Sequence, residues 1–293
     1  MSAVAVVAHS GKSLDGGLDE LRAALAQRGV LNPIWLEVDK SSKAPKQLRR
    51  ALDKGADLIF VWGGDGMVQR CVDTLVGSNA SLAIVPAGTA NLFAANVGIP
   101  RSIQTAVEIG LNGTRRAVDV GSVNGERFAV MAGVGFDARV IRDATPHMKD
   151  ALGRMAYVWA ATKNVRMDTF KARIEVDGSD WYRGDASCVL FGNVGRAFAG
   201  IEVFDDAHSD DGLLEIGVAS ADGILQWGRT FARSALGSTR KSPFVHMTKG
   251  RRVDVRLNRK VLYELDGGER NKRKEFHVEA EATAISVCLP GFS

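Results

Sequence analysis

The run Leu58-Ile59-Phe60-Val61-Trp62-Gly63-Gly64-Asp65-Gly66 decides the fold class. Five apolar residues without polar alternation suit a strand buried on both faces, and such strands belong to parallel sheets covered by helices. Three glycines around one aspartate then turn the chain, and Met67–Val76 reads as a helix. This order brings bare backbone and the first N–H groups of a helix to one sheet edge, a place suited to phosphate. A tight turn with a capping aspartate has the same sequence. Because an aspartate repels a bare phosphate, the functional reading gives Asp65 a Mg²⁺, a water or a hydroxyl to handle beside the phosphates.

The same alternation extends outward. Before the run lie a strand over Val4–Ala8, a helix over Gly17–Arg28 with Leu18, Leu21 and Leu25 on one face, a strand over Ile34–Val38 and a helix over Pro45–Lys54. After it comes a strand over Leu82–Val85, leading into Pro86-Ala87-Gly88-Thr89-Ala90-Asn91. That loop offers a hydroxyl and an amide at the carboxyl end of a parallel strand, where ligands of open α/β sheets bind. Ala8-His9-Ser10-Gly11-Lys12 looks like the tail of a P-loop, but Val6 stands where that motif needs glycine, so a P-loop is excluded.

Beyond about residue 120 the pattern changes to strands separated by glycine turns: Arg127–Met131, Thr169–Val176, Ala186–Gly192, Leu213–Val218, Arg252–Leu257 and Lys260–Leu265. Helical insertions are expected around Gly153–Asn164 and Leu225–Leu236. The expected architecture is α/β in two domains. Residues 1–120 form a parallel nucleotide-binding domain, joined by a returning strand at about 283–293, and residues 121–282 a mainly antiparallel β domain.

Composition narrows the classes. The chain has 293 residues, 45% hydrophobic and 25% charged, which excludes a disordered or fibrous protein. Three scattered cysteines make neither a disulfide framework nor a zinc cluster, so a reducing cytoplasm is expected. Thr74–Pro100 is uncharged but holds a proline, three glycines and three asparagines, and reads as strand and loops rather than a membrane span. The net charge of +4 is concentrated: residues 240–275 carry 12 Lys/Arg against 5 Asp/Glu. That stretch reads as a solvated face or as a contact for an anionic membrane surface, with no nucleic-acid module beside it.

Other candidates are less specific. Gly133-Val134-Gly135-Phe136-Asp137-Ala138 fits a relaxed dinucleotide fingerprint but lies outside the alternating region. Asp205-Asp206-Ala207-His208-Ser209-Asp210-Asp211-Gly212-Leu213 reads as a hard-cation loop or a polar turn. Leu265-Asp266-Gly267-Gly268-Glu269 reads as a hairpin.

Taken in order, the motifs resemble the diacylglycerol kinase catalytic family of bacterial lipid kinases, related to sphingosine and ceramide kinases. They are Gly63-Gly64-Asp65-Gly66, Pro86-Ala87-Gly88-Thr89-Ala90-Asn91, Val118-Asp119-Val120-Gly121, Gly133-Val134-Gly135-Phe136-Asp137, Gly192-Asn193, Asp210-Asp211-Gly212-Leu213-Leu214 and Leu265-Asp266-Gly267. The resemblance implies a first domain of the NAD kinase and phosphofructokinase type. ATP would be held by Gly63, Gly64, Asp65, Gly66, Met67, Val68, Gln69, Gly88, Thr89 and Asn91. It further implies Asp65 as organiser of nucleotide and Mg²⁺, and Asp266 as proton acceptor for a lipid hydroxyl, diacylglycerol first. A structural Mg²⁺ is implied at Asp211 with the carbonyls of His208 and Leu213, and relatives suggest a homodimer. The expected protein is cytoplasmic and visits the membrane, with no nucleic-acid partner. The chain departs from the family pattern at Met67, Leu92 and Gly268, where threonine, aspartate and an acid are usual. The alternatives are a kinase of a soluble hydroxyl such as NAD, or a nucleotide- or lipid-binding regulatory protein.

Overall fold

The structure, a computed structural model, describes residues 3–135, 169–197, 201–204, 207–220 and 245–291. The first part alternates as expected. Strands β1 (Val4–His9), β2 (Ile34–Val38), β3 (Leu58–Gly63) and β4 (Ser81–Pro86) pair in parallel in the order β2-β1-β3-β4. Helices α1 (Gly17–Gln27), α2 (Ala44–Asp53), α3 (Asp65–Leu75), α4 (Leu92–Asn96) and α5 (Ile103–Asn112) lie between and after them. All six residues of β3 and of β4 are buried, which accounts for the apolar runs Leu58–Trp62 and Leu82–Val85, and Ser81, the polar residue among them, pairs its hydroxyl with that of Ser286. Helix α5 lacked any expectation from the sequence. Its signal is Ser102, whose hydroxyl accepts the Thr105 amide as an N-cap.

The second part is antiparallel. It comprises β5 (Thr114–Val123), β6 (Glu126–Phe128), β7 (Met131–Val134), β8 (Phe170–Val176), β9 (Ser179–Ala186), β10 (Cys188–Gly192), a short pair β11 (Arg196–Ala197) and β12 (Ile201–Glu202), β13 (Leu214–Ala219), β14 (Val245–Gly250), β15 (Arg252–Leu265) and β16 (Gly268–Leu289). Its core holds Phe128, Phe170, Phe191 and Phe276, all buried, with Tyr263 edge-on to Phe276. Each fully buried side chain of this size contributes about 2 kcal/mol of hydrophobic stabilisation. The two expected helical insertions, and Phe136–Ala138 of the fingerprint-like run, lie outside the described residues.

Three expected strands are divided differently. Arg127–Met131 is broken into β6 and β7, because the amides of Ala129, Val130 and Met131 turn to hold the Asp266 carboxylate. Arg252–Leu257 and Lys260–Leu265 are one strand, β15, with its register to β16 shifting between Arg256 and Tyr263.

Strand β16 joins the two regions. Its first half pairs with β15, its second half pairs with β5 from Val278 to Leu289, and its end also pairs in parallel with β4 through Ser286 opposite Ser81 and Val287 opposite Leu82. The strand bends at Thr283, whose φ is +50° and whose amide donates to Asp119 Oδ1 at 2.7 Å. Fourteen strands thereby form one sheet among the described residues.

Candidate active site

The site begins with two glycine loops at the carboxyl ends of β3 and β4. Helix α3 starts at once after the first, the Met67 and Val68 amides donating to Gly64 O at 2.8 and 3.1 Å. The loops touch backbone to backbone: a Cβ on Gly88 would lie 2.3 Å from Gly64 Cα, so no larger residue fits at 88. Asn91 has a left-handed φ of +50° and is buried. Its Oδ1 accepts the Gly88 amide at 2.8 Å, and its Nδ2 donates to Gly88 O at 2.9 Å and Pro86 O at 3.2 Å. The Asp65 carboxylate bridges to the same loop, its Oδ1 accepting the amides of Leu92 at 2.6 Å and Phe93 at 3.4 Å. Burial raises the Asp65 carboxyl above its ordinary range against these amides.

The residues expected to hold nucleotide therefore fall into two groups. Gly66 and Thr89 are exposed, and a Cβ on Gly66 would meet nothing nearer than Ser41 Oγ at 3.9 Å, so bare backbone faces open space. Met67, Val68, Gln69 and Asn91 are buried, and the side chains of Gln69 and Asn91 are engaged inside the protein. His9 belongs to a local turn, its Nδ1 accepting the Gly11 amide at 3.1 Å.

Asp266 arrives from the far end of the chain. It occupies the β15–β16 turn with φ of +46°, followed by Gly267 at +78°, the successive positive values of a tight primed hairpin turn. Its Oδ2 accepts the Ala129 amide at 2.8 Å, and its Oδ1 accepts Val130 at 2.8 Å and Met131 at 2.9 Å. Burial, with a smaller contribution from the charge of Asp65, pushes the carboxyl up to about 6 against those three amides. The segment whose amides hold Asp266 follows Arg127, which is bonded to the helix that begins at Asp65.

Neighbouring motifs are explained by this arrangement. Asn193 braces the amide segment, its Nδ2 donating to Ala129 O and Asp119 O, both at 2.9 Å. Asp119 is buried and accepts the amides of Gly212 at 2.6 Å and Thr283 at 2.7 Å. It joins the loop before β13 to the bend in β16.

The implied cation loop surrounds Asp211. Asp211 Oδ1 accepts the Leu213 amide at 3.0 Å, while the Lys249 ammonium stands 3.9 Å from Oδ2 and 2.9 Å from Glu215 Oε1. His208 is exposed, and among the described residues no three His, Cys, Asp or Glu side chains gather to hold a metal. Mg²⁺ demands near-octahedral oxygen ligation. The Asp211 carboxylate with the carbonyls of His208 and Leu213 would make an all-oxygen set that water completes, with the Lys249 ammonium as a competing charge beside it, and no step is routed through a cation there. Asp205 and Asp206 lie outside the described residues.

Comparison with known proteins agrees with this layout. Residues 3–123 match the diacylglycerol kinase catalytic domain, and residues 130–289 match the YegS C-terminal NAD kinase beta sandwich-like domain. The chain belongs to the diacylglycerol kinase catalytic domain family. It is a lipid kinase by that membership, and its relatives carry the same name. The "Probable lipid kinase YegS-like" of Enterobacter sp. (strain 638) is 29% identical over 291 residues, covering 96% of this chain and 94% of the relative. "Probable lipid kinase YegS" of Escherichia coli (strain SMS-3-5 / SECEC) is 29% identical over 289 residues with the same coverage. In fold, the lipid kinase is similar to a crystal structure of a "putative diacylglycerol kinase" from Bacillus anthracis str. Sterne, with TM-score 0.82, 22% identity, and 98% and 97% of the two chains covered. It is more distantly similar to an NAD kinase from Archaeoglobus fulgidus in complex with ATP, with TM-score 0.55, 14% identity, and 97% and 92% covered.

Sequence reading missed Glu126 and Arg270, which lie beside Asp266 in the fold. Neither sits in a glycine motif, and only the pairing of β6 with β5 and of β16 with β15 brings them together.

Proposed function

We propose that this lipid kinase transfers the γ-phosphate of ATP to a hydroxyl of diacylglycerol at an anionic membrane surface. The observation that carries the reading is the hydrogen-bonded path between the two carboxylates: the helix that begins at Asp65 holds Arg127 through Gln69 and Asp73, and the amides that follow at Ala129–Met131 hold Asp266. Bare backbone at Gly64–Gly66 and the exposed Thr89 give the triphosphate its contacts. Asp65 orients the nucleotide end of the site. Mg²⁺ bound with ATP would supply neutralisation of the charge on the transferred phosphoryl group. Asp266 accepts the proton of the lipid hydroxyl. Phosphoryl transfer proceeds through a loose transition state, so positioning and charge matter more than base strength. A carboxyl with a pKa of about 6 is ionised at pH 7 and still basic enough to take a proton late.

The membrane reading draws on the exposed basic residues Arg256, Arg259, Lys260, Lys272, Arg273 and Lys274, carried by β15 and β16. No helix among the described residues is long and apolar enough to cross a membrane. The fold's likeness to an NAD kinase favours one second reading, a soluble hydroxyl acceptor.

One assay separates them. Labelled γ-phosphate is followed from ATP into dioleoylglycerol in mixed micelles, with NAD as soluble acceptor. The expected product is labelled lipid, lowered by at least a hundredfold in Asp65→Ala and Asp266→Ala while both variants keep the wild-type circular dichroism. Label in NAD alone would establish the second reading, and wild-type turnover in either variant would remove that residue from the chemistry.

A further inference from the structure

Asp65 and Asp266 reach the site from different domains, and their separation must be set by something other than the glycine turns that carry them. We propose that Gln69, Glu126 and Arg270 are positioning residues that tie the Asp266 carboxylate to the helix beginning at Asp65. The inference rests on the kinase reading for what Asp266 does, but the tie itself is a matter of hydrogen bonds.

The tie starts on α3. Gln69, one turn after Asp65, is 2% exposed, and its Nε2 donates to Arg127 O at 2.6 Å. Arg70 Nη1 meets Glu126 Oε1 at 3.2 Å, and Asp73 Oδ1 accepts the Arg127 amide at 3.2 Å. Two turns of α3 thereby hold β6 at both Glu126 and Arg127. The residues immediately after β6 are Ala129 and Val130, which with Met131 donate the three amides to Asp266. From the other side Arg270, four residues past Asp266, folds back onto Glu126. Its Nε donates to both Glu126 oxygens at 2.9 and 3.0 Å, and its Nη2 to Oε1. Its Nη1 donates to Gly268 O at 2.9 Å, closing the hairpin over its own turn. The circuit from α3 through β6 and the amides to Asp266 and back through Arg270 is complete.

Burial distinguishes this arrangement from an ordinary surface ion pair, which contributes little. The Arg270 side chain is 15% exposed, and its forked contact fixes angle as well as distance. Gly268 belongs to the same device. A Cβ there would lie 2.7 Å from Arg270 Nη1, so the guanidinium fills the space that an acidic side chain would need. The charged groups facing Asp266 are Asp65 from α3 and Arg270 from β16, and Arg270 is itself balanced by Glu126 from β6 and influenced by Tyr263 from β15. A misplacement of about 1 Å at a reacting group can cost about a hundredfold in rate.

The test uses the full chain and reads two quantities in Arg270→Gln and Gly268→Ala. The first is kcat and the KM for ATP with dioleoylglycerol in mixed micelles. The second is amide hydrogen exchange at Ala129, Val130 and Met131 by NMR. Arg270→Gln should lower kcat at least tenfold, leave the KM for ATP within twofold, and speed exchange of those three amides at least tenfold while Val6 and Phe60 keep their protection. Gly268→Ala, which displaces the guanidinium without removing it, should give a smaller change in the same two quantities. If Arg270→Gln does not fold, Glu126→Gln replaces it. Wild-type kcat or unchanged exchange at Ala129–Met131 overturns the tie. Should the wild-type chain yield no labelled lipid, the diacylglycerol assignment fails by itself, and the exchange measurement alone decides: faster exchange supports the tie, unchanged exchange ends it.

Discussion

At Asp266 two opposing effects meet in one carboxyl. Removal from water favours its protonated form, while three backbone amides favour the charged form, and burial prevails with a pKa of about 6. If the anion is the working form, kcat/KM should be level above about pH 6 and fall tenfold per unit below it. A profile from pH 5 to 8 checks this, and a limb near pH 4 would show an ordinary solvated carboxyl. The consequence for stability has the opposite sign. The folded protein holds this proton more tightly than the unfolded chain, so the contribution is fully present below about pH 4 and lost as pH rises through about 6. This carboxyl therefore works in the pH range where it stabilises least. Its importance was legible in the sequence only through family likeness, because Leu265-Asp266-Gly267 alone is a hairpin. The three amides that shape its chemistry lie more than 130 residues away and have no signature. Asn91 shows the converse. The sequence marks it as a ligand, whereas every hydrogen bond given above for its side chain stays within its own loop.

Among the elements, the first four strands and three helices were readable because their periods are undisturbed: the apolar runs Leu58–Trp62 of β3 and Leu82–Val85 of β4, and α1 with its apolar face closed by Gly29. The misreadings fall where an element serves a distant one. The chain breaks after β6 to present amides, and β15 shifts register instead of ending. The hairpin turn offers a direct check. Gly267 has φ of +78° with open space where a Cβ would go, so only backbone conformation resists substitution. Gly267→Ala should cost about 1–2 kcal/mol, the left-handed penalty of an L-residue, read from the urea midpoint at constant slope. A neutral result would show that the turn relaxes to another type.

For the molecule as a whole, charge and topology set the interaction surface. Of the basic residues that give 240–275 its +7 excess, Arg256, Arg259, Lys260, Lys272, Arg273 and Lys274 are exposed on β15 and β16. Each Lys or Arg near an anionic bilayer contributes about 1 kcal/mol. Replacing Lys272, Arg273 and Lys274 with glutamate should therefore weaken binding to phosphatidylglycerol-containing vesicles by at least about a hundredfold at low salt. The wild-type affinity should itself fall steeply with added salt. Sedimentation with vesicles measures both, and equal binding by the variant would make this face a solvated one.

Strand β16 also dictates when the nucleotide-side sheet can be finished. Its terminal residues Ser286 and Val287 line up beside Ser81 and Leu82, so β4 is left with an unfilled edge while everything from residue 87 to residue 285 is being synthesised. Contacts this remote in sequence form slowly and late. On the ribosome the first domain must wait, with β4 unpaired on that side, until Val287 has emerged. A nascent chain stalled before residue 281 should resist protease less well at β4 than at β1, which already has β2 and β3 on its two sides.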